Sequence, residues 1–84
     1  MEKYTFNNII DKLAEFYGYE YEKQIDGKFK RFDKQTEETE IINGYSDVIQ
    51  FYLEQYENKA ELSGGNEYEK IIEALQELLN DLTL

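Results

Sequence analysis

Cysteine and histidine are both absent from this chain of 84 residues, and each absence excludes a class of function. Without cysteine there is no disulfide framework, no thiolate nucleophile and no zinc site built on thiolates. Without histidine, the usual general base and the commonest metal ligand are missing. The chain is also short for a catalytic cleft of the usual size, about 300–1,000 Å³. We therefore expect a protein that is not an enzyme and that holds no cofactor and no metal ion.

Long apolar segments are missing as well. No run approaches the roughly 20 apolar residues that a membrane-spanning helix needs, and the first residues lack the charged-then-apolar pattern of a secretion signal. A composition with 40% hydrophobic and 15% aromatic residues is nevertheless enough for a folded core. The sequence thus predicts a single domain over residues 1–84, located in the cytoplasm.

Basic residues are scarce in the second part of the chain. Residues 35–84 contain twelve carboxylates against only Lys59 and Lys70, whereas residues 1–34 contain seven acids and seven bases. The whole net charge of −10 therefore falls on the second part. Such a field attracts basic partners and disfavours direct contact with nucleic acid or an anionic membrane.

The first part of the chain predicts a helix and a hairpin. Apolar residues recur at helical spacing over residues 6–17, with Thr5 as N-cap and Gly18 as stop. Two strand-like runs then flank Asp26-Gly27, which is the signal of a hairpin with a two-residue turn. That turn predicts the cross-strand pairs Tyr21 with Phe32, Glu22 with Arg31, Lys23 with Lys30, and Ile25 with Lys28.

The rest of the chain predicts a third strand and two helices. Residues 36–42 favour a strand because of their Thr and Ile content, with a short helix as the alternative. A helix over 47–61 would be capped by Ser46, and an amphipathic helix over 67–82 by Asn66. The fold class predicted is α+β: a helix, a small antiparallel hairpin or three-stranded meander, then two helices.

The two predicted helices carry carboxylates at helical spacing, and these are the first candidate binding residues. They are Glu54, Glu57 and Glu61 on the second helix and Glu69, Glu73, Glu77 and Asp81 on the third. A rigid row of negative charge imitates a nucleic-acid backbone and suits a basic groove. The alternative is a solvated helix face that keeps a small protein in solution, although ordinary surfaces mix both signs of charge.

Two further candidates lie outside these helices. Tyr45 is predicted in a loop, where an exposed tyrosine would offer contact area to a partner. Lys28, Lys30 and Arg31 alternate with phenylalanines in the hairpin, a pattern also used to hold single-stranded nucleic acid. The alternative for these bases is a strand whose lysines protect a sheet edge.

In size, acidity and predicted element order, the chain resembles the small acidic inhibitors that bacteriophages encode against host defences. It is similar in these respects to an anti-CRISPR family that inhibits the Cas nuclease of type II-A systems. The resemblance implies an acidic face that occupies the cleft for PAM-bearing DNA in the cytoplasm of a bacterial host. No motif aligns residue by residue, so no functional residue is transferred.

These observations leave three functions open. The first is a DNA-mimic inhibitor that binds a basic protein, a nucleic-acid-binding protein or nuclease. The second is an immunity or antitoxin protein that neutralises a basic toxin. The third is a small homodimeric adaptor that pairs through the apolar stripe of the third helix, so that the chain would be a homodimer and not a monomer.

Overall fold

The computed structural model describes residues 3–64 and 66–83 and confirms the α+β fold. The elements are α1 (Asn8–Tyr17), β1 (Tyr19–Lys23), β2 (Phe29–Asp33), β3 (Thr39–Ile42), α2 (Tyr45–Ser63) and α3 (Glu69–Thr83). They form two compact units, Met1–Tyr45 and Ser46–Leu84. The expectation of a single domain stays a prediction.

The hairpin forms between β1 and β2, but its predicted register is wrong by one residue. Tyr21 lies opposite Arg31, and Glu22 lies opposite Lys30. The connection has three residues and not two, because Gln24 N–H donates to Lys28 O (2.8 Å) while Gly27 N–H donates to Gln24 O (3.2 Å).

Gly27, with a φ of 86°, explains this connection. A type I turn followed by a left-handed residue closes a three-residue hairpin as readily as a primed turn closes a two-residue one. The observed register places an acid opposite Lys30, so the like-charge pair of lysines expected from the sequence does not form.

The third strand is confirmed, and the helical alternative for this segment is wrong. β3 begins at Thr39, three residues later than predicted, and pairs antiparallel with β2 in a sheet of order β1-β2-β3. A turn precedes it, in which the Asp33 carboxylate accepts from the N–H of Gln35 (2.9 Å) and Glu37 adopts a φ of 61°.

The start of α1 differs from the prediction because Asn7, and not Thr5, is the N-cap. The Asn7 side chain accepts from the N–H of Ile10 (2.9 Å), which satisfies one of the unpaired donors of the first turn. Gly18 ends the helix in a left-handed conformation with a φ of 80°, as predicted.

An aromatic cluster fills the first unit beside the sheet. Phe6 lies at its centre, with ring centroids 4.8–5.2 Å from those of its neighbours. Those neighbours are Tyr4, Tyr21, Phe29 and Tyr45. Because Phe6 packs here in the segment before the cap, the helix cannot begin as early as the apolar pattern suggests.

The helices of the second part begin at other residues than predicted. α2 begins at Tyr45, so Ser46 lies inside the helix and is not its cap. α3 begins at Glu69, after a turn in which the Asn66 carbonyl accepts from the N–H of Glu69 (3.2 Å). Boundary differences of this size are typical, because helix ends are set by local hydrogen bonds that periodicity does not reveal.

The helix α2 buries the face that its apolar residues predict, whereas α3 fully buries only the centre of its own apolar face among the described residues. The buried residues of α2 are Val48, Ile49, Tyr52 and Tyr56. On α3, Leu75 is fully buried, and Tyr68 at its base contacts Tyr56 with ring centroids 5.6 Å apart. Within the described part of the chain, no helix combines the length and the apolar character needed to cross a membrane.

Candidate functional site

The carboxylates predicted for partner binding all lie in helices and are all exposed. We call them the acidic rows: Glu54, Glu57 and Glu61 on α2, and Glu69, Glu73, Glu77 and Asp81 on α3. Their exposure follows from the helical pattern, since the buried positions of each helix occupy the other face. Asp47, at the start of α2, is half-buried and does not belong to this exposed set.

The acidic rows have only two bases on their own helices, Lys59 and Lys70. Within residues 3–64 and 66–83, none of the seven carboxylates forms an ion pair. The ion pairs Arg31–Glu40 and Lys34–Glu20 join residues of the first unit. The segment from Ser46 to Leu84 contains nine acids against two bases, which gives a net charge of −7.

The spacing along α3 can be compared with that of DNA. A helix rises about 1.5 Å per residue, so carboxylates four residues apart are separated by about 6 Å along the axis. One strand of B-DNA carries a charge every 3.4 Å or so along its axis. A single acidic row thus has roughly half the linear charge density of one DNA strand.

Two exposed leucines adjoin the acidic rows, and the sequence prediction missed them. Leu62 follows Glu61 and is 89% exposed, and Leu82 follows Asp81 and is 46% exposed. Leu62 lies off the buried face of α2, so plotting the helix positions could have identified it. By its helical spacing Leu82 belongs to the apolar stripe of α3, but nearly half of its surface is accessible.

Tyr45 is not a loop residue as expected but the first residue of α2, and it is half-buried. Its ring stacks on Phe6 with centroids 5.0 Å apart, and its hydroxyl accepts a hydrogen bond from the Asn7 side chain. Burial raises the pKa of Tyr45; the Asn7 hydrogen bond opposes this effect and the charge of Asp11 adds to it. The side chain therefore supports the aromatic cluster and offers a partner little surface.

The hairpin bases do not share one surface. Lys28 is exposed in the turn, and Lys30 is half-buried on one face of the sheet. Arg31 lies on the other face, is only 8% exposed, and pairs with the carboxylate of Glu40. Its guanidinium also lies 5.0 Å from the ring centroid of Tyr19, a cation–π contact.

The charge of Arg31 is stabilised inside the unit. Burial alone would lower the pKa of Arg31, but the hydrogen bonds and charges of Tyr21 and Glu40 outweigh it and raise that pKa. Arg31 is therefore a structural cation and contributes little to a basic surface.

The described residues hold no group of three or more acidic side chains arranged to bind a metal ion. No protein-family model, curated protein or solved structure matches this chain.

Proposed function

We propose that this chain is an inhibitory binding protein, without enzymatic activity, whose acidic rows imitate the charge of a nucleic acid. Its partner would be a basic protein with a nucleic-acid-binding channel, which the chain occupies and blocks. The Cas nuclease of a type II-A system is the candidate target, so that the chain would act as a phage anti-CRISPR protein in the bacterial cytoplasm.

One observation carries the proposal: seven carboxylates on two helices are exposed and without ion-pair partners in the described chain. Like charges four residues apart cost about 0.2–0.5 kcal/mol per pair in an isolated helix. Arranging them in rows therefore gains nothing for the helix itself. A basic channel would compensate these charges and explain why they are arranged in rows.

The exposed leucines support a contact surface beside the charge. Carboxylates at an interface mainly provide orientation and fast association, whereas affinity comes from buried apolar anchors. Leu62 and Leu82 each adjoin the last acid of a row, where they would pack against the walls of the channel.

Competition for DNA tests the proposal. A type II-A Cas nuclease loaded with guide RNA is bound to a fluorescent duplex that carries its PAM, and the unlabelled protein is titrated in. We expect the anisotropy to fall as the duplex is displaced. Binding of the protein to the nuclease without DNA should weaken as NaCl is raised from about 0.05 M to 0.5 M, because added salt screens exposed charges. The proposal is overturned if the nuclease keeps its DNA at saturating protein.

Two double variants with the same change of net charge separate the acidic rows from general acidity. Glu73→Lys with Glu77→Lys reverses the middle of the α3 row, and Glu15→Lys with Glu37→Lys reverses two exposed acids of the first unit. We expect the row variant to inhibit at least about tenfold less and the control variant to lose much less, since opposed charges in a close interface carry the larger coupling. If both variants lose inhibition equally, the acidic rows act only through the net charge of the protein and not as a binding surface.

A further inference from the structure

The two edges of the sheet differ in how they are covered. On the β1 side, the backbone N–H of Tyr4 donates to Tyr21 O (2.6 Å), so the preceding segment covers the middle of this edge. On the other side, within residues 3–64 and 66–83, no strand pairs with the outer side of β3. Residues Thr39, Glu40 and Ile41 are exposed there. The edge formed by β3 is therefore the more open of the two.

The outward backbone groups of this edge can be assigned. Asp33 N–H donates to Glu38 O (2.9 Å), which fixes the phase of the β2–β3 ladder. Hydrogen-bonded pairs alternate with non-bonded pairs in an antiparallel ladder. In the observed register, Thr39 and Ile41 belong to the non-bonded pairs. The N–H and C=O groups of both residues thus point away from β2 and are available to another strand.

The side chains of the edge alternate in character. Glu38 and Glu40 lie two residues apart, so they project to one face of the sheet, and Thr39 and Ile41 project to the other. The carboxylate of Glu40 pairs with Arg31, yet its side chain is 69% exposed and can accept a second cation. Ile41 is 56% exposed. The edge carries two acids on one face and an exposed isoleucine beside a threonine on the other.

We propose that β3 captures an extended segment of the basic partner, which adds to the sheet as a fourth, antiparallel strand. This segment would carry Lys or Arg at every second position, facing Glu38 and Glu40, and apolar residues between them, facing Ile41. The partner's basic character rests on the proposed function, whereas the mode of capture, by backbone pairing, is independent of the acidic rows. Strand addition of this kind takes affinity from the main chain and specificity from alternate side chains.

Charge excludes a second copy of this chain as the occupant. Two β3 strands paired about a two-fold axis would bring Glu38 and Glu40 of both copies to the same face. Like charges opposed across strands destabilise the pairing, and each copy has a net charge of −10. A basic segment meets no such penalty.

A set of synthetic peptides can test the proposal directly. The probe is an alternating Lys-Val peptide of about seven residues, the length of an ordinary strand, acetylated and amidated at its ends. Its valines would lie opposite Thr39 and Ile41 and exchange hydrogen bonds with them. Methylation of the backbone nitrogens of the valines should therefore abolish binding. Methylation of the backbone nitrogens of the lysines, which point away from β3, should preserve it. Both methylated peptides keep the same charge.

Amide hydrogen exchange of the intact, isotope-labelled protein provides the readout. With saturating unmodified peptide, exchange at Thr39 and Ile41 should slow by about tenfold or more, because these amides gain a partner. The peptide methylated at valine should give no such protection. Equal binding of the two methylated peptides, or protection absent from both amides, overturns the proposal.

A protein variant makes the same distinction from the other side. Ile41→Pro removes the outward N–H, and proline is tolerated in edge strands; Ile41→Val keeps that N–H as the control. Only the proline variant should lose peptide binding. If the proline variant fails to fold, the two methylated peptides still test whether binding uses the backbone of β3. The row variant Glu73→Lys/Glu77→Lys should keep the protection of Thr39 and Ile41. If the protein fails to displace DNA but the peptide still protects the amides of Thr39 and Ile41, the proposed function is overturned and strand capture is retained.

Discussion

Reversing the charge of Glu73 is expected to make the protein more stable and its binding weaker. Glu73 lies in the middle of α3, with Glu69 four residues before it, Glu77 four residues after it and Lys70 three residues before it. In Glu73→Lys, two repulsions become attractions and one attraction, that with Lys70, becomes a repulsion. Pairs at these spacings are worth about 0.2–0.5 kcal/mol each.

The resulting gain in unfolding free energy is about 0.5 kcal/mol. For a chain of this size, that gain corresponds to a rise in melting temperature of about 2–4 °C. Glu73→Gln, which removes the charge without reversing it, should give about half of the gain.

Urea denaturation at low and high ionic strength measures the effect. Stabilisation by Glu73→Lys should be present at about 20 mM NaCl and largely absent at about 1 M, where the Debye length falls to about 3 Å. DNA competition by the same variant should be weaker at low salt. A loss of stability at low salt, or a gain that persists at high salt, would refute the view that the row is electrostatically strained.

Three further changes test individual contacts. Leu62→Ser should weaken partner binding severalfold but alter the unfolding free energy by no more than about 0.5 kcal/mol, since the side chain is mostly exposed; competition and urea titrations measure both. Because burial raises the pKa of Tyr45, with the charge of Asp11 adding to the effect, Tyr45 contributes stability below pH 10 or so, its ordinary pKa. That contribution is lost as the pH rises through the pKa of Tyr45 in the folded protein. The Tyr45→Phe variant should not show this loss, and urea unfolding midpoints measured from about pH 9 to 11 compare the two proteins. Gly27→Ala should destabilise the hairpin by about 1 kcal/mol because Gly27 has a positive φ, while Gly44→Ala, where φ is not positive and a Cβ meets no atom within 4 Å, should not.

The sequence predicted the elements better than their pairing. Helical periodicity identified all three helices, because a buried stripe must repeat every 3.6 residues whatever the rest of the fold does. The hairpin register could not be predicted, since Asp26-Gly27 suits both a two-residue and a three-residue connection. The observed register places Tyr21, Phe29 and Arg31 on one face, where two of the three side chains join the aromatic cluster.

In the candidate site, too, some features could be predicted from the sequence and others could not. Exposure of the acidic rows follows from helix geometry alone, so it was predictable before any tertiary contact was known. The burial of Arg31 was not predictable, because it depends on Glu40 of β3 lying directly opposite, and thus on a register set by tertiary packing. The open edge of β3 was hidden for the same reason.

The two proposed surfaces should act at different stages of binding. Exposed charges act over about a Debye length, so reversing acids of the rows should mainly lower the association rate and its dependence on salt. Backbone hydrogen bonds form only after contact, so Ile41→Pro should mainly raise the dissociation rate. Because no residue belongs to both surfaces, the two effects on the binding free energy should add in a combined variant. A combined loss smaller than the sum would mean that the partner engages the rows and the edge with one and the same segment.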